Sequence, residues 1–225
     1  MAVDPPYLYP DYVGTRLRAP SKPQVRLPKG SFDFDAPAFP RKVGELEHDL
    51  TRQHAGEPLG ERIIVTGRVM DSDGRPVKHA VVELWQANAA GRYLDDGDQH
   101  PAPLDPNFSG AGRCLTDQHG RYRFITIKPG AYPWKNHLNA WRPAHIHFSL
   151  FGNYFRSRLV TQMYFPGDPL MPHDPILQSV PDDKGRARLV ARWDQETTVP
   201  EWALGYQWDI VLRGRESTPF EDEHH

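Results

Sequence analysis

The chain of 225 residues is poor in several features that often direct the interpretation of a sequence. A single cysteine, Cys114, excludes an internal disulfide and any cysteine-based zinc cluster, and fits the reducing cytoplasm. The longest purely aliphatic stretch, 63–65, is far shorter than the roughly 20 apolar residues that span a bilayer, and the first residues contain no apolar signal-peptide core. A net charge of −2 supplies no uniform field for binding nucleic acid or an anionic membrane. We therefore expect a cytoplasmic protein whose metal chemistry, if it has any, uses His, Tyr or carboxylate side chains.

Proline is concentrated in the first 40 residues, where it favours extended segments over regular ladders. At about 150 residues per domain, the length favours one large domain with an additional arm. We predict an N-terminal arm over 1–60 that contacts a partner chain, and a single domain over 61–225. One helix is predicted inside the arm at 44–56, because Leu46 and Leu50 are four residues apart and Gly56 is a suitable C-terminal stop.

From residue 62 onward, short runs rich in β-branched and aromatic residues alternate with turn signals, which is typical of an antiparallel sandwich. The predicted fold class is all-β, a two-sheet antiparallel β-sandwich with a Pro-rich, partly helical N-terminal arm. Seven strands are predicted, at 63–71, 79–87, 120–127, 144–152, 158–165, 187–194 and 206–214.

Two turns of the form D-x-x-G connect predicted strands, at Asp71–Gly74 and Asp117–Gly120. Glycine supplies the positive φ that such turns require. The segment 173–180 predicts one or two helical turns, and no long helix is expected after residue 62.

The segment 141–149 contains the motif H-x-H at His145 and His147. In a strand these two side chains project from the same face, about 6.5–7 Å apart by rise, while Ile146 and Phe148 face the other way. Two imidazoles could thus converge on one ion, or a half-buried strand could simply show two polar residues to solvent. The absence of Cys, and of Asp or Glu at useful spacing in the strand, disfavours structural zinc and a two-His, one-carboxylate ferrous site.

Five motifs are similar to those of one enzyme family: ELWQAN (83–88), GRY (91–93), DPNFSGAGR (105–113), KPGAY (128–132) and WRPAHIHF (141–148). They resemble the non-haem iron intradiol dioxygenases, and within them the branch that cleaves protocatechuate. The resemblance implies one non-haem Fe(III) per chain, held by two tyrosinates and two histidines, namely Tyr93, Tyr132, His145 and His147. Phenolate is a hard anionic donor, and two phenolates with one hydroxide neutralise Fe³⁺, so this set favours the ferric state. Taken singly, either tyrosine could instead be a surface or corner residue.

Three catalytic residues follow from the same resemblance. Tyr132 would leave the metal as the catechol binds and accept one of its protons. Arg142 would stabilise anionic charge on the substrate ring, provided that a bend at Pro143 redirects it from the opposite face of the strand; otherwise it is a surface ion-pairing arginine. Gln162 would help to place oxygen.

Three further residues resemble the substrate pocket of the family. Trp134 and Ile176 resemble walls that hold a flat aromatic ring, although both residue types are usually core. Tyr9, in the arm, resembles a residue that hydrogen-bonds the substrate carboxylate.

The implied activity is cleavage of protocatechuate (3,4-dihydroxybenzoate) with O₂ to 3-carboxy-cis,cis-muconate, in the β-ketoadipate pathway of aromatic catabolism. The implied partner is an α chain of similar fold in an (αβ)n assembly. A catechol or hydroxyquinol dioxygenase with the same ligands is the nearest alternative. The stretch 67–85 also resembles transthyretin-like sandwiches that bind without a metal, which leaves a non-catalytic module as the remaining one.

Overall fold

A computed structural model describes residues 4–23, 25, 47–134, 141–152 and 155–220. The strands are β1 (Arg62–Met70), β2 (Val81–Trp85), β3 (Ala111–Leu115), β4 (Arg121–Ile127), β5 (Tyr132–Pro133), β6 (Trp141–Arg142), β7 (His145–Gly152), β8 (Phe155–Tyr164), β9 (Arg192–Trp193), β10 (Leu204–Gln207) and β11 (Ile210–Val211). The helices are α1 (Thr15–Arg18), α2 (Pro175–Gln178) and α3 (Asp183–Arg188), with a 3₁₀ turn at Met171–His173. Among the described residues, no helix has the length and apolar character needed to cross a bilayer.

Two sheets pack face to face. A four-stranded antiparallel sheet has the order β3-β2-β7-β8, and a five-stranded sheet has the path β11-β1-β10-β9 with β4 paired to β1. The ring of Phe148 on β7 lies 5.8 Å from that of Tyr122 and 6.1 Å from that of Phe124, both on β4, so the two sheets share one core. The predicted sandwich is confirmed, with one difference. Strands β10 and β11 run parallel to β1, whereas β4 is antiparallel to it.

Two of the predicted strands differ in the structure. Helix α3 (Asp183–Arg188) includes the first two residues of the predicted strand 187–194. Of that predicted strand, only Arg192–Trp193 form a strand. Asp183 in the first turn and Arg186 in the last turn of α3 both complement the helix dipole. These charges favour a helix over the strand that the alternation of apolar and polar residues predicts. The predicted strand 206–214 is divided into β10 and β11, because Asp209 accepts the Arg68 N–H through its side chain between them.

Three strands escaped prediction, namely β3 and the two-residue strands β5 and β6, and one predicted helix is wrong. Strand β3 begins Ala-Gly and contains no β-branched residue, so its composition does not indicate a strand. The predicted helix at 44–56 fails in its described part, since residues 47–56 form turns and bends, while Leu46 lies outside the described residues. The Leu50 N–H donates to Ile125 O, and the Ile125 N–H donates to His48 O. The backbone of this segment therefore bonds to β4, which leaves it unable to make helical bonds there. Within the described part of the arm, helical structure is found in α1.

Both D-x-x-G turns form as predicted and share one construction. Gly74 and Gly120 have φ of 75° and 71°. In each turn the aspartate side chain accepts two backbone N–H groups, those of residues 73 and 75 at Asp71 and those of residues 119 and 121 at Asp117. The predicted helical turns at 173–180 correspond to the end of the 3₁₀ turn and to α2.

Candidate metal centre

The candidate site lies on the face of the four-stranded sheet that points away from the shared core. Because side chains alternate along a strand, the register places two rows of residues on this face. Trp85, His147 and Gln162 are directly paired across β2, β7 and β8 in one row, and His145 is paired with Tyr164 in the next. The opposite face of β7 carries Ile146, Phe148 and Leu150, all fully buried.

The two histidines converge as the alternation predicted. Their Nε2 atoms lie 3.2 Å apart, and His145 Nδ1 donates to Pro143 O at 2.8 Å, which leaves the lone pair on Nε2 facing the centre. The ring of His147 stacks on Trp85 with a centroid separation of 4.8 Å and an interplanar angle of 7°. Burial lowers the pKa of both histidines well below the usual value, and the Arg142 cation lowers it further. Neutral imidazoles are the form that binds metals.

Two glycines allow the tyrosine-bearing loops to approach each other. Gly91 has a φ of 76°, and a Cβ there would lie 2.1 Å from Ala131 O. A Cβ on Gly130 would lie 2.5 Å from Ala89 O. With both loops in contact, the rings of Tyr93 and Tyr132 meet edge to face at 5.3 Å, and Tyr132 Oη lies 3.4 Å from His145 Nε2. The motifs GRY and KPGAY therefore act as one unit that brings two phenols to the histidine face.

The hydroxyl of Tyr93 is buried and has no hydrogen-bond partner among the described residues. Leaving a buried hydroxyl unpartnered costs free energy. Burial raises the pKa of Tyr93 well above its usual value, and the neighbouring Tyr132 raises it further. A strongly charged cation within reach would both provide the missing partner and stabilise the phenolate. The described residues contain no cluster of three or more His, Cys, Asp or Glu that could hold a metal ion, so a metal site here would need the tyrosines as donors.

Arg142 reaches the centre because the chain bends between β6 and β7. Pro143 and Ala144 separate the two strands, and Asp168 fixes the bend by accepting the Ala144 N–H at 2.9 Å. The guanidinium Nη1 consequently lies 3.0 Å from His145 Nε2 and 3.3 Å from Tyr132 Oη. The redirection that the sequence required of Arg142 is thus present in the structure.

Gln162 stands behind Arg142 together with two residues that sequence analysis missed. Its Oε1 accepts from Arg142 Nη2 at 2.6 Å, and Tyr164 Oη lies 3.1 Å from the same oxygen. Asp174 binds the guanidinium through both carboxylate oxygens, at 3.1 and 2.9 Å. Alternation could have found Tyr164, which lies two residues after Gln162 on the same face. No local signal singles out Asp174, because it comes from a separate loop.

The three predicted pocket residues differ in their contacts with the site. Trp134 stacks on Arg142, whose Cζ lies 5.3 Å from the ring centre, and the ring of Tyr12 in the arm meets it edge to face at 5.0 Å. Ile176 is buried on α2 and lines a small cavity together with Gln162. Tyr9 is half-buried, and its backbone N–H and C=O both bond to the Thr15 hydroxyl. Tyr12 of the arm therefore contacts the wall of the site, and a substrate-binding role for Tyr9 stays a prediction.

Comparison with known proteins extends over nearly the whole chain. A family model described as "Dioxygenase" matches residues 34–214, and one described as "Protocatechuate 3,4-dioxygenase beta subunit N terminal" matches residues 3–29. The protocatechuate 3,4-dioxygenase beta chain of Burkholderia cepacia is 60% identical over 220 residues, which cover 96% of this chain and 93% of the relative. The alpha chain from the same organism is 30% identical over 166 residues, 72% of this chain and 78% of the relative.

A solved structure agrees with the fold. Catechol 1,2-dioxygenase from Acinetobacter sp. ADP1 aligns with a TM-score of 0.54 and 26% identity, covering 76% of this chain and 58% of that chain. The similarity to dioxygenases covers nearly the whole chain and disfavours the non-catalytic alternative.

Proposed function

This chain belongs to the intradiol dioxygenase family, whose members generally depend on non-haem iron, and we propose that it is the iron-binding β chain of a protocatechuate 3,4-dioxygenase. It would cleave protocatechuate with O₂ to 3-carboxy-cis,cis-muconate, a reaction in which both oxygen atoms enter the product and no reductant is consumed. The observation that carries this proposal is the convergence of two phenols and two imidazoles in a chain so similar to a known beta chain.

We assign one ferric ion per chain to Tyr93, Tyr132, His145 and His147. The assignment is supported by the unpartnered buried hydroxyl of Tyr93 and by the neutral imidazoles, since hard phenolates and imidazoles together suit a trivalent iron. When bound, the ion supplies Lewis-acid activation of the catechol and a template for its two oxygens.

The chain's own residues would then bind the ring and move its protons. Tyr132 Oη is positioned to accept a proton from a catechol hydroxyl, and Arg142 Nη1, 3.3 Å from that oxygen, favours anionic charge beside it. Trp134 stacks on Arg142 and offers a flat wall for the aromatic ring, while Gln162 and Ile176 close the region behind it. Arg142 and Gln162 are fully buried, so their polar groups act in a water-poor environment where charge interactions are strong.

We further propose that an α chain completes the enzyme and that the arm over 1–60 contributes to this contact. Similarity to both kinds of chain supports the partner, and the match of residues 3–29 to the beta-subunit N-terminal model supports the role of the arm. A cytoplasmic location is part of the proposal and is supported by the lone cysteine. Cell fractionation would test it.

The decisive experiment is a visible absorption spectrum of the chain co-expressed with an α chain. We expect a tyrosinate-to-Fe³⁺ charge-transfer band that shifts on anaerobic addition of protocatechuate, followed by ring cleavage when O₂ is admitted. Catechol and hydroxyquinol serve as competing substrates and should be turned over more slowly. A colourless, inactive complex would contradict the ligand assignment, and faster turnover of catechol would contradict the assigned substrate.

A further inference from the structure

The N–H groups of the Arg142 guanidinium point in two directions. An arginine has five N–H donors in a rigid planar fork. Three of them are bound on the side away from the metal centre: Nε–H by Asp174 Oδ1, and the two on Nη2 by Asp174 Oδ2, Gln162 Oε1 and Tyr164 Oη. Only Nη1 is directed at Tyr132 Oη and His145 Nε2. The direction of Nη1 is therefore set by the partners at the back of the fork.

Asp174 is the charged partner among these. Its side chain is fully buried, and its Oδ2 also accepts a hydrogen bond from Tyr164 Oη at 2.8 Å. The bidentate contact fixes both the in-plane position and the tilt of the guanidinium, which a single hydrogen bond cannot do. The carboxylate also offsets the arginine charge inside the protein, where an unpaired cation would be costly.

The local structure at Asp174 indicates a role other than capping helix α2. Asp174 is the N-cap residue of α2, a position where aspartate commonly accepts backbone N–H groups of the first turn. Here the side chain makes no capping hydrogen bond, and both oxygens bind Arg142. Buried ion pairs are often no more stabilising than apolar side chains of similar volume. The pair is thus poorly explained by stability alone.

We infer that Asp174 is a positioning residue for ring cleavage, which holds the back of the Arg142 fork so that Nη1 faces the substrate beside Tyr132. This inference rests on the proposed function, because it assigns Asp174 to the same site. In this role Asp174 would act through Arg142 and not by contact with the substrate or the metal.

The test compares D174N with the wild-type enzyme in the αβ complex. Asparagine keeps the volume and is an equally good N-cap residue, so the change removes mainly the negative charge and one acceptor for the fork. We expect kcat to fall about 10- to 100-fold, the range typical of lost outer-sphere partners. KM for protocatechuate, the iron content and the tyrosinate absorption band should stay close to wild type. E216Q, which makes the same chemical change in the exposed Arg188–Glu216 pair, is the control and should leave kcat unchanged.

A double-mutant comparison separates positioning from a general structural role. In an R142Q background, adding D174N should lower kcat no further, since the inferred role of Asp174 depends on Arg142. A further loss in that background, or a wild-type kcat for D174N alone, would overturn the inference. Should D174N fail to fold, D174E keeps the charge but displaces it by one methylene, and its loss of kcat should likewise vanish in the R142Q background. Inactivity of the wild-type complex with protocatechuate would instead count against the proposed function.

Discussion

The two faces of strand β7 show how one short segment separates stability from chemistry. On one face, Ile146, Phe148 and Leu150 are fully buried against the other sheet. On the other face, His145 and Ser149 are just as deeply buried, yet each makes a directional contact, to Pro143 O and Glu83 Oε2. Apolar packing tolerates exchange at constant volume, whereas the polar face depends on particular atoms at particular distances. Burial alone therefore does not distinguish a core residue from a site residue here.

The largest expected effect on stability is that of a substitution on the core face of β7. F148A removes a ring that packs against Tyr122, Phe124 and Trp208, and should lower the free energy of unfolding by about 3–5 kcal/mol. Chemical denaturation of the purified chain measures this loss. Iron bound per folded chain should change little, because the side chain points away from the site. A variant of normal stability that has lost its iron would reverse the assignment of the two faces.

Y93F should have the opposite effect to F148A, because it should lose iron while keeping its stability. Removing the phenol oxygen should abolish most iron binding and lower turnover at least about 100-fold, more than is typical of outer-sphere changes. The iron-free chain should become slightly more stable, because a buried hydroxyl without a partner is removed. Metal analysis and calorimetry of the iron-free chain measure both effects.

Y122F is the matched control for Y93F, since the Tyr122 hydroxyl donates to Trp208 O inside the core. It should lower stability and leave iron binding intact. If Y93F destabilised the iron-free chain as much as Y122F does, the hydroxyl of Tyr93 would have a protein partner after all.

S149A tests whether the whole outer face of β7 serves the site. Ser149 shares that face with the histidines, but its hydroxyl binds the Glu83 carboxylate on the neighbouring strand. We expect a loss of about 1.5 kcal/mol in the free energy of unfolding, with kcat and the absorption band unchanged. A changed band would extend the functional region along the strand.

I146V is expected to have the smallest effect. Ile146 lies between the two histidines in sequence but faces the core, so the lost methylene should cost about 1 kcal/mol of stability. Iron affinity, measured by competition with a chelator, should stay the same. A weaker affinity would mean that core packing sets the spacing of the two imidazoles.

Sequence predicted the parts of this molecule that depend on local periodicity. Alternation placed His145 and His147 on one face, and the D-x-x-G motifs placed two turns with glycines at positive φ. The positions of Tyr93 and Arg142 required the family resemblance. Their approach depends on contacts between loops distant in sequence, such as that of Gly91 with Ala131.

What escaped prediction has a common physical origin. The segment 47–56 makes its backbone bonds to β4, and Asp174 joins the site from a separate loop. Periodicity and propensity report only on near neighbours in sequence, so neither could show these partners. The helix expected at 44–56 failed for this reason, and Asp174 went unnoticed.

Burial of the single thiol has a practical consequence. Cys114 lies on β3 opposite Val82, and burial raises its pKa to about 12. Since the thiolate is the reactive form, the folded chain should be almost inert to thiol reagents near neutral pH. Opening of the sandwich would free the one thiol and let it react at an ordinary rate. The rate of its modification thus reports how often β3 becomes exposed, without any added label, and would show whether iron or an α chain slows that opening.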